Sequence, residues 1–187
     1  MGEWTAETAE WYATKYGEYA TNRITIERLE IAPDSRVVDV GCGTGAALRH
    51  AAAKVTGGTL RGFDPVPRMV EIARERLAEH PAAGRIEIDV APAHELPIEG
   101  DSADLVLALD SYDHWGEGQA DGLAEVRRVL AAGGRFVIVK DGGVPGSDDS
   151  RDAFVSEVEA AGFVVQEEES IAAEEVAFTM WICVASA

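Results

Sequence analysis

Apolar residues follow two different periodicities along the chain. Short runs that are continuously apolar, or that alternate with polar residues, predict strands at 36–40, 60–63, 86–90, 105–109, 135–140, 163–165 and 178–184. Between them, apolar residues recur at helical spacing and predict helices at 45–55, 64–77, 123–130 and 154–161. This alternation predicts an α/β fold, a doubly wound and mostly parallel sheet of seven strands that closes with a hairpin-like pair and so has an antiparallel C-terminal strand.

The pattern of each strand predicts its place in the sheet. Residues 105–109 are continuously apolar, as in a central parallel strand, whereas 86–90 alternate with polar residues, as near an edge. The pair Gly133-Gly134 predicts the end of the preceding helix, and 142–150 are predicted to form a loop. Doubly wound sheets bind ligands at the carboxyl ends of their strands, so candidate chemistry is expected there.

Residues 1–33 precede the first predicted strand, and 4–31 are predicted to be helical. This segment contains Trp4, Trp11, Tyr12, Tyr16 and Tyr19. The three tyrosines share one helical face by their i, i+4 and i+7 spacing, so the segment either covers a pocket as a lid or packs on the sheet. Because we find no linker or repeat, residues 1–187 are predicted to form one domain.

The composition is that of an acidic protein with a full hydrophobic core. The chain has 34 acidic and 16 basic residues, a formal net charge of −18 and 47% hydrophobic residues. Such a surface repels phosphate backbones and anionic lipids, so neither a nucleic acid nor a membrane is an expected partner. No apolar run approaches the ~20 residues of a membrane span, and Glu3, Glu7 and Glu10 replace the apolar core of a secretory signal. Cys42 and Cys183 show neither a pairing pattern nor metal-ligand spacing, so we expect a reducing, cytoplasmic setting. The expected assembly is a monomer or a homodimer.

The first predicted strand runs into a glycine turn, Val37-Val38-Asp39-Val40-Gly41-Cys42-Gly43-Thr44-Gly45. Glycine permits positive φ, and it leaves room for a ligand that lies on the backbone. The stretch closely resembles the first motif of the class I S-adenosylmethionine (SAM)-dependent methyltransferases of the small-molecule type, in which an acid precedes the first glycine by two residues. The resemblance implies that Asp39, Gly41, Cys42 and Gly43 contact the methionine part of SAM and that Asp39 holds its ammonium group. Alternatively, the Asp39 carboxylate bonds the backbone of its own turn.

Asp64 and Pro65 follow the second predicted strand. A carboxylate can accept hydrogen bonds from both hydroxyls of a ribose, and Asp64 stands 23 positions after Gly41, as ribose-binding acids do in dinucleotide sites. The resemblance therefore implies a ribose contact at Asp64 and Pro65. Alternatively, Asp64 caps the following helix.

The segment Pro92-Ala93-His94-Glu95-Leu96-Pro97 is similar to the adenine-binding signal of that family, with Pro92 in place of the usual Asp. The adenine contact is therefore expected from the backbone and side chains of Ala93 and His94.

The fourth predicted strand leads into Asp110-Ser111-Tyr112-Asp113-His114-Trp115. Family members often have one or two histidines here, and Asp113 replaces the first. The resemblance implies that Asp110 contacts the cofactor and that His114 or Asp113 acts as a base. Alternatively, these residues form an ordinary helix entry with His114 in the core, and a metal site from Asp110, Asp113 and His114 is a further alternative that we do not adopt.

The sequence thus predicts a SAM-dependent methyltransferase that acts on a small-molecule acceptor and releases S-adenosylhomocysteine. Two alternatives stay open. The GxGxxA spacing of Gly41, Gly43 and Ala46 also fits a nicotinamide-dependent oxidoreductase. The substitutions at Pro92 and Asp113 also allow a non-catalytic SAM-binding module.

Overall fold

A computed structural model describes residues 4–141 and 148–186 of the chain. The elements are α1 Ala6–Tyr16, α2 Ala20–Arg28, β1 Arg36–Val40, α3 Ala46–Ala51, β2 Thr59–Asp64, α4 Pro67–Ala78, β3 Ile86–Val90, β4 Ala103–Leu109, α5 Gln119–Val129, β5 Leu130–Asp141, α6 Asp148–Ala160, β6 Phe163–Ala173 and β7 Val176–Ala185. Short 3₁₀ turns lie at Ala83–Arg85, Tyr112–His114 and Gly116–Gly118. Among the helices described, none is both long and apolar enough to cross a bilayer.

All seven strands form one sheet in the order β3-β2-β1-β4-β5-β7-β6. Strands β1 to β5 run parallel, and β7 is antiparallel to both β5 and β6. The predicted fold class is therefore confirmed, including the central place of β4 and the edge place of β3. The strand order reverses between β1 and β4, and the crevice at such a switch point is where doubly wound sheets bind ligands.

Both faces of the sheet are buried under helices. Val37, Leu105 and Val137 contribute to the apolar cluster on one face, while Val106 and Ile138 contribute to the cluster on the other. Because consecutive residues of a strand point to opposite faces, a strand covered on both sides must be apolar throughout, as β4 is.

The N-terminal segment forms two helices rather than the one helical stretch predicted for 4–31. The break lies at Gly17, where an added Cβ would stand 2.2 Å from the Ala13 carbonyl oxygen and 2.8 Å from Cγ2 of Thr44. Thr44 donates a hydrogen bond of 2.5 Å from its hydroxyl to the Gly17 carbonyl. This contact ties the junction of α1 and α2 to the glycine turn after β1.

Several predicted boundaries are wrong. Helix α3 ends at Ala51 rather than at 55, and β6 extends to Ala173 rather than ending at 165. Helix α4 begins at Pro67 with Val66 as its N-cap, and the Asp64 side chain does not cap it. Helix α5 ends at Val129, and Gly133-Gly134 lie inside β5, where the φ of +76° at Gly133 accompanies an irregular pairing with β4. Of the predicted loop 142–150, residues 148–150 form the first turn of α6, and 142–147 lie outside the described residues.

Candidate functional site

A cavity of about 290 Å³ lies beyond the carboxyl ends of β1, β2 and β4. Ten of the eleven predicted site residues line it: Asp39, Gly41, Cys42, Gly43, Asp64, Pro65, Ala93, His94, Asp110 and His114. The eleventh, Asp113, is not among the lining residues. The fold thus collects residues from four separate chain segments around one space.

The glycine turn after β1 forms one wall of this cavity. Gly41, Gly43 and Gly45 have φ values of +74°, +52° and +73°, a region that side chains disfavour. A Cβ on Gly41 would stand 2.4 Å from Cβ of Ser111, whereas a Cβ on Gly43 would meet nothing within 4 Å. Gly41 therefore permits close packing against the loop after β4, and Gly43 leaves a bare backbone facing open space.

Asp64 links the end of β2 to the glycine turn. Its Oδ2 accepts the backbone N–H of Gly43 at 3.0 Å, and its Oδ1 accepts that of Val66 at 2.9 Å. A carboxylate offers about four lone-pair positions, so each oxygen can accept one more hydrogen bond. The side chain is 7% exposed, and its burial raises the pKa above the ordinary range even though both amides oppose the shift.

Asp39 lies on β1 beneath the same wall and is 2% exposed. Burial raises its pKa to about 7, and the neighbouring charge of Asp64 adds to the shift. Burial also raises the pKa of the Cys42 thiol, again with contributions from Asp39 and Asp64. Two buried carboxylates whose charges repel each other favour a cation that binds between them.

Asp110 is the first residue after β4 and adopts a φ of +54°, which is uncommon for a residue other than glycine. The backbone N–H of Asp141 donates to its carboxylate, whereas its buried Oδ1 has no hydrogen-bond partner among the described residues. Burial raises the Asp110 pKa to about 7, with further contributions from the charges of Asp141 and Asp113.

The loop after β3 brings Pro92, Ala93 and His94 to the cavity. Its position follows from two hydrogen bonds, from the Ala91 N–H to the Asp64 carbonyl at 3.2 Å and from the Leu96 N–H to the Glu125 carboxylate at 2.8 Å. Pro92, which replaces the Asp usual in the family, therefore lines the cavity wall. Because proline has no backbone N–H, only its carbonyl can take part in a hydrogen bond.

Aromatic side chains of the N-terminal segment form another wall. Ring centroids are 5.4 Å apart for Trp4 and Tyr12, 5.1 Å for Tyr12 and Tyr16, and 5.9 Å for Tyr16 and Tyr19. All four residues line the cavity, whereas Trp11 is 55% exposed and does not. The sequence shows the helical spacing of these aromatic residues, but only the structure shows that they form a wall of the cavity.

The predicted base residues separate in the structure. The His114 side chain is exposed at the cavity, with its ring in edge contact with Trp4 at 6.2 Å between centroids. Asp113 instead pairs with Lys140, with 2.8 Å between its Oδ1 and the ammonium nitrogen. Within the described part of the chain, no three acidic, histidine or cysteine side chains converge as a metal site would require.

The sequence predicted no individual site role for several lining residues, among them Ser111, Asn22 and Met69. Ser111 supports the site because its hydroxyl donates to the Val40 carbonyl at 2.6 Å and its Cβ faces Gly41. These residues carry no local signal, since each reaches the cavity through contacts between elements that are distant in sequence.

Comparison with known proteins identifies a family. A family model described as a methyltransferase domain matches residues 37–134. A ubiquinone/menaquinone biosynthesis C-methyltransferase, UbiE, from Geotalea daltonii is 34% identical over 119 residues, 63% of this chain and 50% of the relative. The methyltransferase GfsG from Streptomyces halstedii is 35% identical over 122 residues, 65% of this chain and 43% of the relative. The chain thus spans about half the length of the curated relatives it matches.

Solved structures show the same fold. A SAM-dependent methyltransferase from Aquifex aeolicus superposes with a TM-score of 0.78 at 16% identity, covering 98% of this chain and all of that one. At this level of identity the likeness concerns the arrangement of helices and strands alone.

Proposed function

Because the chain belongs to the methyltransferase-domain family of class I SAM-dependent enzymes, we propose that it transfers the methyl group of SAM to a small-molecule acceptor in the cavity beyond β1, β2 and β4. The observation that carries the proposal is the hydrogen bond from the Gly43 N–H to Asp64 Oδ2. This hydrogen bond joins the glycine backbone at Gly43, against which a ligand can lie, to the Asp64 carboxylate, which has free lone pairs. Both face the same cavity.

The residues present fit SAM group by group. The open space at Gly43 accommodates the methionine part beside Gly41 and Cys42, and the buried Asp39 carboxylate holds the ammonium group. Asp64 and Pro65 hold the ribose, for which the free lone pairs of Asp64 are suited. Ala93 and His94 hold the adenine from the loop after β3. SAM, when bound, would supply an electrophilic methyl group, and the electron pair of the broken C–S bond would stay on sulfur.

The protein's contribution to the reaction is alignment and the exclusion of water. The aromatic wall of residues 4–19 covers one side of the cavity, so we assign a lid role to the described part, 4–33, of the N-terminal segment 1–33. We assign residues 1–187 to one domain, as the sequence predicts. His114 lines the same cavity and is the group that removes a proton when the acceptor is a hydroxyl or an amine. Asp113, paired with Lys140 and absent from the lining, supports the loop that carries His114.

The experiment is a calorimetric titration of the full chain with S-adenosylhomocysteine and, separately, with NAD. We expect S-adenosylhomocysteine to bind and NAD to show no saturable response. Binding of NAD alone would favour the nicotinamide-dependent oxidoreductase and overturn the proposal. A second assay incubates the chain with SAM and a panel of small acceptors and measures the S-adenosylhomocysteine formed. An enzyme forms this product, whereas a non-catalytic binding module forms none.

A further inference from the structure

We propose that the acceptor is an organic amine, which binds as a cation between the Asp110 carboxylate and the aromatic wall formed by Trp4, Tyr12, Tyr16 and Tyr19. This assignment rests on the proposed function and moves Asp110 from the cofactor to the acceptor. It follows from the charge of the cavity, from the separation of its carboxylates and from the hydrogen-bonding capacity left at Asp110.

The charge of the cavity selects against anionic acceptors. Asp39, Asp64 and Asp110 all line it, and none of its lining residues in the described part of the chain is a lysine or an arginine. An acceptor that carries a carboxylate or phosphate would therefore meet like charges, with no lysine or arginine among the described lining residues to offset them. A cationic acceptor would instead relieve the repulsion.

The three carboxylates form two separate groups. Asp39 lies on β1, and Asp64 ends β2 and accepts the Gly43 N–H, whereas Asp110 follows β4, on the opposite side of β1 from β2. The first group lies at the glycine turn and is occupied by the ammonium and ribose of the cofactor in the proposed function. Asp110, at the end of β4, is left without a role in holding those two groups.

The Asp110 side chain retains an unused acceptor. The Asp141 N–H donates to this carboxylate, but among the described residues nothing donates to its Oδ1. A buried unpaired acceptor is costly, and so is a positive φ at a residue other than glycine. A ligand N–H at Oδ1 would satisfy the acceptor.

The aromatic wall and this carboxylate line the same cavity. Burial raises the Tyr12 pKa to about 12, and the next largest contribution comes from the charge of Asp110. Tyr19 donates from its hydroxyl to Asp141 Oδ2 at 3.5 Å. Aromatic faces attract ammonium groups, and a carboxylate among them adds a charge-assisted hydrogen bond. The bound ammonium loses one proton, for which His114 is the proposed acceptor, before its nitrogen lone pair forms the C–N bond and the C–S bonding pair passes to sulfur.

The test uses three ligands of one shape that differ in charge: phenethylamine, 2-phenylethanol and phenylacetate. Each is titrated into the full chain saturated with S-adenosylhomocysteine at about pH 8, where both the carboxylate and the amine are charged. We expect phenethylamine to bind at least about tenfold more tightly than the other two, since the ion pair and the aromatic contacts act on it alone. The variant Asp110→Asn should remove this preference, and the exposed control Asp34→Asn should keep it.

The affinity for S-adenosylhomocysteine separates the two levels of the argument. If the wild-type chain fails to bind it, the proposed function itself fails. If it binds but the amine shows no preference, or if Asp110→Asn keeps the preference, the amine inference is overturned and the methyltransferase proposal stands. A loss of S-adenosylhomocysteine affinity in a folded Asp110→Asn would return Asp110 to the cofactor and also overturn the inference. Should the variant not fold, the order of the three ligands on the wild-type chain decides.

Discussion

Replacing Asp39 by asparagine is expected to stabilise the protein above neutral pH while weakening its cofactor binding. The Asp39 carboxyl is 2% exposed, and its pKa is raised from 3.8 to about 7, first by burial and then by the charge of Asp64. A raised pKa means that the folded state holds a proton that the unfolded state has released. The contribution of Asp39 to the free energy of unfolding should therefore fall as the pH rises from about 4 to about 7.

The magnitude follows from these two pKa values. Between pH 5 and pH 8, proton linkage at this one site lowers the wild-type free energy of unfolding by about 2.5 kcal/mol. Asparagine does not titrate, so the stability difference between Asp39→Asn and wild type should grow by that amount. In a chain of this length this corresponds to about 5–10 °C in the midpoint of thermal unfolding.

The assay is chemical or thermal unfolding of the chain without cofactor at pH 5 and pH 8. Asp34→Asn, an exposed carboxylate before β1, is the matched control and should show no such growth. A stability difference for Asp39→Asn that is the same at both pH values would refute the reasoning, whatever its sign. In the same variant, S-adenosylhomocysteine affinity should fall by about tenfold or more, because a charged hydrogen bond to the ammonium group is lost.

Four further substitutions test the site: three test the walls of the cavity, and one tests the proposed base. Gly43→Ala should fold with a stability penalty of about 1 kcal/mol for its positive φ, yet it should lose S-adenosylhomocysteine binding in calorimetry. Gly41→Ala should lower the free energy of unfolding in urea by about 2–4 kcal/mol, because its Cβ meets Ser111. Asp64→Asn should weaken S-adenosylhomocysteine binding about tenfold, and unchanged affinity would contradict the ribose assignment. His114→Gln should lower kcat about 100-fold with unchanged S-adenosylhomocysteine affinity, and full turnover would remove His114 as the base.

The cofactor half of the site was predictable because its signals are local. Asp39 and the glycines stand within seven consecutive residues, and Asp64 is the last residue of a strand. These residues can therefore be identified from the predicted strand ends, without knowledge of contacts between distant parts of the chain. The acceptor half was less predictable. Asp113 and His114 are neighbours in sequence, but the turn Tyr112–His114 directs one toward Lys140 and the other into the cavity.

The sequence by itself determined which segments become strands and helices and which strand ends carry acids and glycines, since hydrophobic periodicity and turn chemistry act over a few residues. Tertiary structure alone decided that Tyr12 and Tyr19 line the same cavity as Asp110, that the Ser111 side chain packs against Gly41, and that the Asp39 pKa rises to about 7. Burial and charge interactions depend on neighbours that the chain brings together from far apart, so no local pattern encodes them.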